Sequence, residues 1–105
     1  MFEILIRMPG QPEALGKLVP GVYRVGSSPA SHIQLPRPEI SQKHCQFIVD
    51  ESTLRVLDAG SSNGTFVDGT RIGSDAVDAP PGTSIRIGEV EVLVNLPLQL
   101  TISLM

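Results

Sequence analysis

No apolar stripe in this sequence runs at helical spacing for three turns before a glycine or proline cuts it. Ten glycines and nine prolines stand among 105 residues, above the roughly 12% that these two residues usually contribute. Between these interruptions lie short apolar runs with period-2 alternation, the signature of strands rather than helices. Phe2 to Met8 is such a run, stopped by Pro9-Gly10. Gly21 to Val25 follows a Pro20-Gly21 turn signal, and His32 to Leu35 halts at Pro36. Cys45 to Val49 and Thr53 to Leu57 flank Asp50-Glu51-Ser52. Thr65 to Val67 and Arg71-Ile72 flank Asp68-Gly69, the dipeptide that most strongly favours a two-residue hairpin. Thr83 to Ile87 and Val90 to Val94 meet at Gly88-Glu89, and a last apolar run covers Leu98 to Leu104. The pattern predicts an all-β, two-sheet antiparallel sandwich of about eleven short strands. The stretch from Pro9 to Pro20 reads as the one linker-like loop.

The hydrophobic fraction of 41% suffices for one core, and the absence of Trp leaves Val, Ile and Leu to build it. The expected core includes Ile4, Ile33, Phe47, Val56, Phe66, Ile85, Ile87 and Val92, with Leu5 or Ile6 beside them. The chain reads as a single domain over 1–105, with its core in about 2–95 and a last strand near 98–104. It is either complete to that strand or the N-terminal part of a longer protein. The formal charge of −3 and the lack of a basic cluster disfavour nucleic acid and anionic lipid as partners. No secretory signal or membrane-length apolar stretch is visible, so the expected location is cytoplasmic. The sole cysteine, Cys45, alternates with Phe47 and Val49 and reads as a small core residue.

The turns are more informative than the strands. Gly26-Ser27-Ser28, Ser41-Gln42-Lys43-His44 and Gly60 to Thr65 carry more hydroxyl, amide and imidazole groups than plain turns require. Loops of a sandwich gather at its two ends, and such groups with free backbone N–H donors suit a phosphate-like anion. Their order is equally informative: a Gly after a strand, then Ser-x-x-His, then Ser-Asn-Gly-Thr after an Asp-ended strand. Together with Tyr23-Arg24-Val25-Gly26, Ile40-Ser41-Gln42-Lys43-His44, Leu57 to Gly69 and Ile85-Arg86-Ile87-Gly88, this resembles the forkhead-associated (FHA) domain family over about residues 2 to 95.

The resemblance implies an eleven-stranded sandwich that recognises phosphothreonine in a partner protein. It assigns Ser41, helped by neighbouring N–H groups and Gln42, to a phosphate oxygen. Ser62 supplies a second hydroxyl, and Asn63 the hydrogen bond to the backbone of the bound segment. His44 becomes a structural tie between loops, and Gly26, Gly64 and Thr65 support them. One position departs from the family pattern: the Arg that usually follows the glycine is Ser27 here. Lys43 and Arg37, in or beside the loops, are the candidate replacement cations. The departure keeps a second reading open, a scaffold domain that docks an unphosphorylated partner. Oligomeric state is not legible.

Other chemistries fit less well. Ser41 and His44 lack an evident orienting acid and a nucleophile elbow, and the Gly60–Thr65 stretch lacks the Lys of an NTPase loop. Two histidines and one cysteine form no metal cluster of standard spacing, so neither cofactor nor metal is expected. Asn63-Gly64-Thr65 is formally a glycosylation acceptor, but without a signal peptide it reads as turn and site. The chain reads as a binding module and not as an enzyme.

Overall fold

A computed structural model describes residues 1–95. The run 98–104, read above as a last strand, lies outside the described residues. The strands are β1 (Phe2–Arg7), β2 (Ala14–Leu18), β3 (Gly21–Gly26), β4 (Ile33–Gln34), β5 (Cys45–Val49), β6 (Leu54–Asp58), β7 (Thr65–Val67), β8 (Thr70–Arg71), β9 (Val77–Asp78), β10 (Ser84–Ile87) and β11 (Val90–Asn95). They form two sheets, one in the order β2-β1-β11-β10-β7-β8 and the other β4-β3-β5-β6-β9. No helix occurs among the described residues. The Asp68-Gly69 turn has φ of 48° and 84°, the two positive values that a hairpin turn matching strand twist requires.

Every pairing is antiparallel except β3 with β4, which run parallel through Val25↔Ile33 and Gly26↔Gln34. The linker expected over Pro9–Pro20 is also corrected. Its residues 14–18 are β2, laid against β1 with Phe2↔Leu18 and Ile6↔Ala14 in register. Ala-Leu-Gly-Lys-Leu carries neither β-branched residues nor alternation, so nothing local marks it as a strand. The ladder to β1 makes it one, with Leu18 alone buried. β9 was equally silent: two residues, recruited by β6 through Val56↔Val77.

The core is the layer between the sheets. Ile4, Phe47, Val56, Ile85, Ile87 and Val92 are buried as expected, alongside Leu35, Leu54, Val25 and Val90. Ile33 and Phe66 depart from expectation. Ile33 packs half-buried on the core margin, because β4 is an edge strand. On β7 it is Thr65 that points inward, and Val67 packs against the core, so Phe66 turns to the outer face. There it lies across from Arg86 on one side and Arg71 on the other. A buried threonine thus sets the phase of this strand against hydrophobicity, since its hydroxyl has a partner described below.

Cys45 is buried at the head of β5. Burial pushes its thiol up to about 12, outweighing a hydrogen bond with Thr65 that lowers it. Each pH unit between the ordinary thiol value of 9.0 and this one cuts the reactive thiolate tenfold. A thiol reagent at pH 8 is therefore expected to label the folded protein about a thousandfold more slowly than the protein in denaturant. Equal rates would place Cys45 outside the core.

Candidate functional site

Strand register decides which loops share an end. Val25 pairs with Cys45, Cys45 with Asp58, and Ile87 with Thr65. The loops 27–32, 35–44, 59–64 and 88–89 therefore leave the sheets at one end of the sandwich. Ser41 is where three of them meet. Its carbonyl accepts the Ser27 N–H at 3.0 Å, and its hydroxyl oxygen accepts the Ser62 N–H at 3.0 Å. Its own N–H goes to His44 Nδ1 at 3.1 Å. Asn63 Nδ2 donates to the Glu39 carbonyl at 2.8 Å, tying the 59–64 loop to 35–44 a second time. Since a carbonyl only accepts, this bond fixes the amide orientation and leaves Asn63 Oδ1 as an exposed acceptor. Ser27, Ser41, Ser62 and Asn63 thus lie together on one surface.

His44 holds this surface from beneath. Its side chain is fully buried, with Nδ1 accepting from Ser41 and Nε2 2.8 Å from the Gly64 carbonyl. Because Nδ1 is an acceptor, Nε2 carries the proton and donates it. The backbone is equally committed: the His44 N–H reaches the Val25 carbonyl, and the His44 carbonyl takes the Ala59 N–H. One residue joins β3, the 35–44 loop and the 59–64 loop, with every polar group satisfied.

The 59–64 loop is wound around Asp58. Oδ2 accepts the N–H groups of Gly60 and Ser61, both at 2.9 Å, and Oδ1 accepts the hydroxyls of Ser61 at 2.6 Å and Thr65 at 2.7 Å. Ser61 Oγ in turn accepts the Gly64 N–H at 2.9 Å. Burial alone would raise the Asp58 carboxyl, but the bonds from Ser61, Thr65 and Gly60 outweigh it and hold the carboxyl below the usual range. Thr65, buried against Asp58, is what turned Phe66 outward.

Gly26 and Gly64 are required by space and backbone. A Cβ on Gly26 would overlap the Gln42 carbonyl oxygen and lie 2.7 Å from its carbon and 3.0 Å from the Ser41 oxygen. Gly64 has φ of +94°, and a Cβ there would lie 2.7 Å from Arg71 Nε.

The cations are arranged differently from the hydroxyls. Arg37 is taken up by carboxylates: Nε bonds Glu39 Oε2, and Nη2 lies 3.3 Å from Glu89 Oε1. That guanidinium holds the Glu39 carboxyl below its usual range. Gln42 and Lys43 are exposed and face a neighbouring pocket rather than an internal partner. Sequence reasoning gave no role to Asp58, Ser61 or Glu39. Asp58 was detectable, since Asp followed by Gly-Ser two and three places on is an Asx-turn pattern. Glu39 was not, because its partners include residue 89, fifty positions away.

Two variants probe this framework. Gly26→Ala should cost about 1–3 kcal/mol or more in chemical denaturation, since the clash is with backbone that cannot rotate away. A neutral result would mean that the 35–44 loop moves freely. Asp58 contributes stability above the unfolded aspartate value of about 3.9, and this is lost as pH falls through its lowered native value. Urea midpoints from pH 7 to pH 2.5 should show that loss in the wild type and a flatter profile in Asp58→Asn, which starts lower at pH 7.

The chain matches the FHA domain family over residues 23–88, more than half its length. It is 31% identical over 78 residues to the ABC transporter ATP-binding/permease protein Rv1747 of Mycobacterium tuberculosis, covering 74% of this chain and only 9% of that one. Among solved structures it superposes on the FHA domain of the CT664 protein from Chlamydia trachomatis with a TM-score of 0.84 and 24% identity, over 92% of this chain and 98% of the other. It also superposes on Mycobacterium tuberculosis EmbR in complex with a low-affinity phosphopeptide, with a TM-score of 0.75 and 26% identity, over 90% of this chain and 24% of the other. The chain belongs to the FHA domain family.

Proposed function

We propose that this domain binds threonine-phosphorylated segments of partner proteins across the Ser27, Ser41, Ser62 and Asn63 surface. The observation that carries the proposal is the junction at Ser41. Its oxygen is engaged by the Ser62 N–H, so its hydroxyl proton is left to be given outward. Ser62 and Ser27 are tied to it through their backbone N–H groups, which brings their hydroxyls to the same surface, and Gln42 stands next in the chain. Asn63 Oδ1 is placed to accept a backbone N–H and hold the segment extended. Family membership and the phosphopeptide bound to EmbR support the same reading.

The proposed contacts to phosphate are hydroxyls and N–H groups, with no guanidinium among them. Ser27 replaces the usual Arg, and Arg37 is held by Glu39 and Glu89. Charge-assisted bonds contribute about 1.5–3 kcal/mol, and about 1.4 kcal/mol is tenfold in affinity, so binding is expected to be weak for the family. The same observation favours a second reading, docking of an unphosphorylated partner on the same surface.

Titration of a degenerate phosphothreonine peptide library against its dephosphorylated twin separates the two. Phosphate-dependent binding should weaken about tenfold in Ser41→Ala and tighten by at least about tenfold in Ser27→Arg, the gain shrinking at high salt. A folded Ser27→Arg that still ignores phosphate would transfer the proposal to phosphate-independent docking.

A further inference from the structure

The outer face of the six-stranded sheet carries an apolar row. On β1 the inward places belong to the buried Phe2 and Ile4, so Glu3, Leu5 and Arg7 point outward. Leu5 pairs with Leu15 on β2 and with Leu93 on β11, and residues directly opposite in a ladder share a face. The three leucines therefore stand side by side across three neighbouring strands. None of them belongs to the core or packs against it, and Leu15 is 73% exposed. The solvated face of an antiparallel sheet is normally polar, and no third layer among the described residues covers this one.

The charges around the row are ordered. Two residues to one side of Leu5 and Leu15 stand Arg7 and Glu13, and two residues to the other side stand Glu3 and Lys17. Arg7 bonds Glu13 at 2.6 Å, and Glu3 is opposite Lys17 in the ladder. Across β2 and β1, one flank of the row thus reads minus, plus, and the other reads plus, minus. A two-fold rotation about the row lays the leucines on their own copies and exchanges the flanks. Glu13 then meets Lys17 of the second copy, and Arg7 meets its Glu3, each contact occurring twice. An axis laid along β1 would instead set Glu3 on Glu3 and Arg7 on Arg7, so charge selects the first axis. The outer face of the other sheet has no such order. Val22 is exposed there, but Arg24 stands two residues to one side of it and Pro20 two to the other.

We infer that two copies of this chain associate face to face through the Leu5, Leu15 and Leu93 row, about a two-fold axis that runs along it. The contact is isologous and closes at two copies. Three strands about 4.8 Å apart, each contributing five residues of about 3.3 Å, present roughly 240 Å² of face. A standard interface covers roughly 800 Å² per partner, so this dimer is an exchanging one that fills at high protein concentration. Arg7 pairs with Glu91, just beyond the 88–89 turn, and so marks the loop end that carries Ser41. The rotation reverses the strand direction, which points the two loop ends away from each other and leaves both open. Dimer formation is therefore independent of what the Ser41 surface binds.

Sedimentation of the whole 105-residue chain tests this. The average mass of the wild type should climb from one chain toward two between about 10 µM and about 1 mM. Leu15→Glu, on a side chain outside the core, should keep the wild-type melting temperature and stay monomeric. Lys17→Glu and Glu13→Lys should each weaken self-association about tenfold, because the two-fold axis repeats every exposed pair. Mixed in equal amounts, these two variants should associate with each other about as well as the wild type does with itself, since every contact again joins opposite charges. A wild type still monomeric at the highest concentration would overturn the proposal, as would a dimer that persists in Leu15→Glu. A mixture that associates no better than either charge variant alone would rule out the two-fold axis along the row and overturn it too.

Discussion

The buried imidazole of His44 is the interaction on which the loop end depends. A sandwich brings loops to a common end by register alone, but register does not hold their tips together. Here one ring accepts an N–H from the 35–44 loop and donates to a carbonyl of the 59–64 loop, which crosses from β6 to β7 of the other sheet. Losing it would leave two backbone groups without partners, the Gly64 carbonyl among them buried, a penalty larger than the net value of the bonds themselves. The exposed hydroxyls of the surface inherit their positions from this buried pair.

Asp58 does for one loop what His44 does between two. A carboxylate at the end of β6 collects four donors within eight residues, converting a Gly-Ser-Ser-Asn-Gly segment from a flexible turn into a fixed frame. The cost appears on β7, where Thr65 takes the inward place and Phe66 goes outside. Order in the site has therefore been given priority over burial of a phenyl ring.

Much of this was legible in the sequence. The alternating runs marked β1, β3, β5, β6, β7, β10 and β11, because half-buried strands advertise themselves by period 2. The Asp68-Gly69 hairpin was legible because turn chemistry is local, and the Ser41, Ser62 and Asn63 cluster through the order of motifs that resembles the FHA family. What escaped was whatever draws its reason from elsewhere in the chain. β2 is a strand because β1 needs an edge partner, and β9 because β6 does. The phase of β7 follows from a carboxylate seven residues earlier. Arg37 read as a spare cation, and only the fold brings Glu89 beside it.

The distribution of charge at the loop end ties these observations to recognition. A guanidinium placed at Ser27 would bind any phosphate strongly and say little about the residues around it. Hydroxyls and N–H groups are weaker but directional, so they favour a ligand whose oxygens and backbone fit the cradle together. With Arg37 held by Glu39 and Glu89, the phosphate contacts of the proposed reading rest on geometry rather than on charge.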